Sequence, residues 1–270
     1  MYYAGSLVFR TDIPNSARLW TYWLGGKDYY EVDRLAGDAC CRIYSGITTL
    51  AVQAQQFRVR AVCFLAEQGI RQFLDIGAGL PTTENTHHIA QTIAPQCRVV
   101  YTSSDPLVLT HARALLTSST GAVATVEADS HDPGRIIGQA REALDFTEPI
   151  GVLFMGVLGY IRPYRHAHET VRTVLRAVAP GSYLTAWDAI DDRGPAAEMW
   201  NYHNAEMWNY HNSAGADGYA PRRPPQIANL FAGLELVAPG VVPITQWQPP
   251  ALEVGAVHSV PAWGAVARKP

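Results

Sequence analysis

Three observations predict an α/β fold, a doubly wound parallel sheet of seven strands with helices on both faces and a helical extension in front. From Gln72 onward, short β-branched or apolar runs alternate with helical stretches, the pattern of β-α-β units feeding a parallel sheet. Each run is followed by Gly, Asp or Pro, residues that stop a strand and open a turn. Before residue 70 the chain is instead rich in helix formers and aromatics.

Taken in order, Ala51 to Gln68 carries Phe57, Val59, Val62, Phe64 and Leu65 on an amphipathic pattern that closes at Gly69, which reads as a helix with a glycine stop. Strands are expected at Gln72 to Ile76, Arg98 to Thr102, Ala122 to Glu127, Ile150 to Met155 and Ser182 to Trp187, with Leu234 to Val237 and Ala262 to Ala267 closing the sheet. Helices at about Glu84 to Ala94, Leu107 to Leu116, Gly134 to Leu144 and His166 to Val178 connect the first five. The octapeptide AEMWNYHN of Ala197 to Asn204 returns unchanged as Ala205 to Asn212. Its period is far below the roughly 20 to 50 residues of solenoid repeats, so it reads as a tandem duplication lengthening one helix or loop. It follows the fifth strand, where insertions over a cleft are tolerated, and Gly218 to Pro225 should end it. The expected organisation is a helical cap over residues 1–69 and a sheet domain over 70–270, with a lid insertion at about 191–225.

With 48% hydrophobic and 17% charged residues, the chain of 270 has the balance of a packed globular protein. Its net charge of −3 has the wrong sign for neutralising many phosphates, so no nucleic-acid partner is expected. The longest apolar run, Ile150 to Ile161, is shorter than the roughly 20 residues that cross a bilayer. Met1 to Arg10 lacks a basic stretch followed by an apolar one. A cytoplasmic chain with no membrane partner is the expectation. Cys40, Cys41, Cys63 and Cys97 show no paired metal spacing and read as reduced thiols. His166, His168 and Glu169 open a helix on which residues two apart diverge, so no metal is expected. His87 and His88 read as helix surface for the same reason.

The sequence FLDIGAGLPT at Phe73 to Thr82 is an apolar strand entering a Gly-x-Gly turn. Glycine permits positive φ and close backbone approach, at the strand ends where doubly wound sheets bind ligands. A third glycine near Thr82 and a Gly-Lys-Ser/Thr sequence are both missing, which favours a ligand without a pyrophosphate. Asp75, Gly77, Ala78 and Gly79 are therefore candidate binding residues. Ser103, Ser104 and Asp105 follow the second strand, where acidic or hydroxyl groups can bind ribose; helix capping, with Pro106 at the first helical position, is the competing role of Asp105. Asp129 and Ser130 follow the third, placed to accept from an adenine amine or to form a plain turn. Met155 and Gly156 at the fourth strand complete the set.

With these residues in view, the chain resembles the class I S-adenosylmethionine-dependent methyltransferases. More narrowly, it is similar to the actinobacterial S-adenosyl methyltransferase family formerly listed as a domain of unknown function. The resemblance runs through Pro14-Asn15-Ser16-Ala17-Arg18, Leu24-Gly25-Gly26-Lys27-Asp28, Asp33-Arg34, the glycine loop, Asp105 to Leu116, Phe231 to Leu236, Pro239 to Pro243, Trp247 and Ala265 to Pro270. It implies a Rossmann-like methyltransferase fold, S-adenosyl-L-methionine as cofactor, and an N-terminal segment around Tyr22, Gly25 and Gly26 that folds over it. Two departures stand out. The family usually has an aspartate where this chain has Ser103, and relatives tend to carry a histidine where Gly159 and Tyr160 stand. A serine bond to ribose is neutral and weaker than one from a carboxylate.

A sulfonium makes its attached carbons electrophilic, so alignment and water exclusion are the main requirements. Where a base helps, Tyr160, Asp188, His203 and His211 are the candidates; a strand-end turn for Asp188 and solvent exposure for the histidines are the competing readings. Aromatics are dense at Tyr22, Trp23, Tyr29 and Tyr30 and in the duplication at Trp200, Tyr202, Trp208 and Tyr210, suited to cation–π contact or to packing of lids. The leading expectation is a methyltransferase acting on a small-molecule substrate, in a natural-product pathway, with a homodimer left open. The alternative is a lyase on the same fold. It would close the methionine arm to a cyclic amino acid of the 1-aminocyclopropane-1-carboxylate or azetidine-2-carboxylate type and release methylthioadenosine. A cofactor-binding protein without turnover is the third reading.

Overall fold

The computed structural model describes residues 10–116, 122–211, 218–251 and 259–270, with the side chains of 206–211 outside the description. Among the described residues, three helices, α1 (Ser16–Trp23), α2 (Glu31–Ile43) and α3 (Ile47–Glu67), precede the sheet. Then β1 (Gln72–Ile76), α4 (Thr86–Ile93), β2 (Arg98–Ser103), α5 (Pro106–Leu115), β3 (Val123–Glu127), α6 (Pro133–Ala140), β4 (Gly151–Met155), α7 (Tyr164–Ala177) and β5 (Tyr183–Ala189) alternate. The chain closes with α8 (Pro195–His211), α9 (Pro224–Leu230), β6 (Glu235–Leu236), β7 (Val242–Pro243) and β8 (Ala262–Arg268).

The strand order is β3-β2-β1-β4-β5-β8-β6, with β7 pairing on β8. The first five strands run parallel and β8 enters antiparallel beside β5. Successive strands step outward from β1 to β3, then return to the other side of β1 at β4, so a crevice opens at their carboxyl ends between β1 and β4. Among the described residues the sheet has eight strands, one more than expected, because the two-residue β7 is too short to carry a period-2 signal. Alternation on the core strands places Phe73 and Leu153 in one buried layer, with α3 and the N-terminal helices, and Leu74, Ile76, Val152 and Phe154 in the other, with α6 and α7. Covering both faces is what lets these strands be apolar throughout.

The N-terminal helices are locked by buried polar contacts. Asn15 caps α1, its side-chain oxygen accepting from Ala17 and Arg18 N–H. Arg18 Nε donates to Asp33 at 2.6 Å, both side chains almost wholly buried, and Asp33 also accepts from the Asn15 and Tyr30 backbone N–H groups. Gly25 ends α1 with φ +76. Its N–H bonds the Tyr22 carbonyl and that of Gly26 the Thr21 carbonyl, a Schellman stop that a side chain at Gly25 would strain. His87 is a correction: it is fully buried, its backbone N–H donating to the Tyr101 hydroxyl oxygen and its Nδ1 2.9 Å from the same atom. It stands in the first turn of α4, whose inner side faces β2, and burial lowers its pKa to about 4. Cys40, Cys41, Cys63 and Cys97 form no disulfide. Among the described residues no helix is long and apolar enough to cross a membrane, and no group of three or more His, Cys, Asp or Glu is placed to hold a metal.

Candidate functional site

A cavity of about 440 Å³ lies over the carboxyl ends of β1, β2, β3 and β4, within the size range of small-molecule sites. Its floor is built by loops that leave those strands. Gly77 ends β1 with φ +73, and a Cβ there would lie 2.3 Å from Val157 Cγ2, so only glycine fits. The loop is pinned to β2 through Gly77 N–H to Thr102 Oγ1 and Ala78 N–H to the Thr102 carbonyl. Over Gly79 nothing lies within 4 Å of a Cβ position, leaving its backbone open to a ligand. Gly156 repeats the device beyond β4, with φ +74 and the Trp187 ring 2.5 Å from its missing Cβ.

The polar wall follows β2 and β3. Ser103 Oγ accepts from the Asp105 N–H. Asp105 caps α5 through the Leu107 N–H and accepts from Asn15 Nδ2 at 2.8 Å, so capping and cavity lining are one residue's work and α1 is tied to the β2 tip. Asp129 Oδ1 accepts from His131 N–H and faces its Nδ1. Burial works to raise the Asp129 pKa, but the bonds to His131 outweigh it and the net shift is downward, keeping a carboxylate at the cavity rim. The roof is one face of α1, with Ser16, Ala17, Trp20, Thr21 and Leu24, and one face of α3, with Ala51, Ala54, Gln55 and Arg58. Trp20, Tyr160, Trp187 and Met155 form an aromatic and apolar end.

Of the residues expected from sequence, the cavity brings together Gly77, Ala78, Gly79, Ser103, Ser104, Asp105, Asp129, Ser130, Met155, Gly156 and Tyr160. Others stand elsewhere. Tyr22 points to a different side of α1, its hydroxyl donating to Asp38, and that bond raises its pKa to about 12. Gly25 and Gly26 are exposed at the helix stop. Asp75 is buried below the loop, accepting from Thr86 Oγ1 at 2.6 Å, and burial raises its pKa against the charge of Arg58. Asp188 is no exposed turn residue: it is fully buried, accepts from the Tyr219 hydroxyl and from Gly159 N–H, and lies 3.8 Å from Arg222 Nε. Arg222 Nη2 in turn donates to the Leu158 and Ile161 carbonyls. This network holds the turn that carries Tyr160; Asp188 does not reach the cavity. His203 is buried 5.7 Å from the Trp200 ring, with its pKa lowered to about 4 by burial. The side chains of His211, Trp208 and Tyr210 lie outside the described residues.

Sequence reasoning missed Asn15, Trp20, Arg58 and Trp187. Ala51, Ala54, Gln55 and Arg58 fall at i, i+3, i+4 and i+7, one helix face, and a polar pair interrupting that stripe was the available signal. Trp20 and Trp187, 6.0 Å apart and edge to face, come from elements far apart in the chain.

The sequence pattern of a family described as S-adenosyl methyltransferase matches residues 6–270. A DUF574 family protein from Streptomyces avermitilis is 36% identical, with TM-score 0.88 over 96% of this chain and 99% of that one. A structure described as a putative methyltransferase from Thermobifida fusca is also 36% identical, with TM-score 0.85 over 96% and 97%. The plantazolicin methyltransferase BpumL, solved with S-adenosylhomocysteine, shares 11% identity and a TM-score of 0.50 over 94% and 95%, a likeness of fold alone. Comparison with the curated proteins returns no match.

Proposed function

This chain belongs to the S-adenosyl methyltransferase family, and from that premise we propose that it methylates a small molecule with a flat, largely apolar body. The observation that carries the reading is the division of one roofed cavity into a polar half at the tips of β1 to β3 and an aromatic half at Trp20, Tyr160 and Trp187. S-adenosylmethionine is the family's cofactor, and when bound it supplies a methyl group on an electrophilic sulfonium. The cavity fits it on three counts: open backbone at Gly79, glycine-only packing at Gly77, and carboxylates at Asp105 and Asp129.

In this reading Gly77, Ala78 and Gly79 would lie along the cofactor, Ser103, Ser104 and Asp105 would hold its sugar, and Asp129 and Ser130 its base. Met155 and Gly156 would form the floor beneath. Trp20, Trp187 and Tyr160 would hold the acceptor and face the positive sulfur with ring faces. Burial raises the Tyr160 pKa, so its hydroxyl stays protonated at neutral pH and orients the acceptor rather than deprotonating it. Alignment and exclusion of water then supply most of the acceleration. A roof of α1 and α3 limits the acceptor to what the cavity admits, and an aromatic wall suits the ring systems of natural products.

The test is incubation with labelled cofactor and a panel of hydroxylated or aminated aromatic acceptors, resolving both nucleoside products. S-adenosylhomocysteine formed only with an acceptor supports the reading; no such product from any acceptor, against a protein shown to bind cofactor, overturns it. The family description and the Thermobifida fusca relative name methyl transfer and give no support to the ring-closing lyase. Methylthioadenosine released without acceptor, above the spontaneous rate, is the outcome that would revive it.

A further inference from the structure

Behind the aromatic end of the cavity, a buried acid and a buried base grip the turn that presents Tyr160. That turn, Leu158–Tyr160, is a single 3-10 step after β4. Arg222 Nη2 donates to the Leu158 carbonyl at 2.8 Å and to the Ile161 carbonyl at 2.6 Å. Gly159 N–H donates to Asp188 Oδ1 at 3.2 Å, and the Gly159 carbonyl accepts from Ala220 N–H at 2.8 Å. The Tyr219 ring lies 2.4 Å from where a Cβ of Gly159 would stand, and edge to face with the Tyr160 ring at 4.9 Å. Packed this closely, turn and clamp move as one body.

One joint in the clamp is open. Asp188 Oδ2 and Arg222 Nε are both buried and neither has a hydrogen-bond partner. They stand 3.8 Å apart, about 1 Å beyond a charge-assisted hydrogen bond. A neutral carboxyl leaves that gap, whereas a buried carboxylate draws the guanidinium across it, because a buried charge left unpaired is costly. The guanidinium cannot close the gap alone, since its far edge is bonded to the turn. Among the described residues, the ionisable groups that face Asp188 are Tyr219 and Arg222 from the segment after α8 and Tyr160 from the turn. Across the sheet its β8 neighbour is Trp263, and His203 of α8 faces Trp23 and Trp200. Burial pushes the Tyr219 hydroxyl well above its usual range, which leaves the carboxyl as the group that titrates.

We propose that Asp188 is a positioning residue for the methyl acceptor: its loss of a proton closes the gap to Arg222 and shifts the turn that presents Tyr160. The inference rests on the reading of Tyr160 as an acceptor residue and deepens it, making the fit of the acceptor depend on one proton held outside the cavity. Burial raises the Asp188 pKa to about 7, so the change falls within reach of ordinary buffers.

Fluorine NMR of the full chain with 4-fluorophenylalanine in place of Tyr160, a reporter that does not itself ionise, tests the movement without an acceptor. Its resonance is expected to shift with a midpoint near 7, to stay fixed when Asp188→Asn is added, and to shift as before when Asp191→Asn is added instead. A resonance that never moves, or that still moves with Asp188→Asn, overturns the proposal. Tyr219→Phe keeps the test decisive should Asp188→Asn fail to fold. The Tyr219 bond lowers the Asp188 pKa, so the midpoint is expected to rise in that variant, and an unchanged midpoint refutes the assignment. For an acceptor found with the panel above, KM is expected to change by about 2- to 10-fold across the transition, the range of one hydrogen bond, while the S-adenosylhomocysteine Kd stays level. Both constants flat, or both changing alike, overturns the positioning role. If no acceptor is found, the reading of function fails on its own, and the fluorine titration still decides whether Asp188 moves the turn.

Discussion

At the scale of single residues, two positions concentrate the constraints. Gly77 combines positive φ with a Cβ position blocked by Val157, so Gly77→Ala must strain the backbone and displace the β4 loop together. A cost of about 2 kcal/mol follows from a non-glycine residue held in that region with a clash, visible as a fall of several degrees in Tm and as weakened S-adenosylhomocysteine titration. Unchanged binding would contradict the loop's assignment. Asp188 makes a pH prediction. Burial raises its pKa to about 7, against the Tyr219 bond and the Arg222 charge, so the folded chain keeps a proton that the unfolded chain releases near pH 4. Between those values the folded state binds more protons, and stability from this group falls as pH rises. Asp188→Asn removes the titration. Melts from pH 4 to 7.5 are expected to show a shallower decline for the variant than for the wild type, and parallel curves would refute the buried-acid assignment. The Gly-x-Gly turn was legible because its conformation is local. The surroundings of Asp188 were not, since Tyr219 and Arg222 reach it from beyond α8.

Elements carry the next level. Every long helix and strand between β1 and β5 falls where the apolar periodicity put it, because each hides one face against the sheet. One weaker element escaped: β7 is two half-buried residues, and so short a strand exists by pairing on β8, whereas β6, two exposed residues, lies inside the expected Leu234 to Val237. The octapeptide duplication shows how an element limits what a repeat can do. Ala196, Met199, Trp200 and His203 form one buried stripe of α8, and Trp200 stacks on Tyr219 at 4.2 Å. Eight residues at about 100° each bring the second copy back rotated by about 80°, so it cannot present that stripe again to the same neighbours. Deleting residues 205–212 is therefore expected to leave a folded protein with Tm changed by only a few degrees. Trp200→Ala, which empties a fully buried site, is expected to cost roughly 3–5 kcal/mol. A deletion as damaging as the tryptophan change would show that the second copy supports the core.

For the whole molecule, the cavity joins segments remote in sequence: α1 and α3 from the N-terminal helices and four strand tips from the sheet. A ligand gripped by all of them stabilises the fold by mass action. S-adenosylhomocysteine at about 100 times its Kd should add about 2.7 kcal/mol, a rise in Tm of roughly 5–10 °C for a chain of this size. A smaller, saturating rise would mean that the ligand binds folded and unfolded chains alike. By itself the sequence determined the sheet, its order of elements, the glycine loop and the polar residues at successive strand tips, because period, turn chemistry and caps act over a few residues. Tertiary structure alone decided that Arg58 and Trp20 line the same cavity as Gly77, and that Tyr22, Asp188 and His203 do not. Which face of a helix meets a strand tip is set by packing across the whole core, and no local pattern records it.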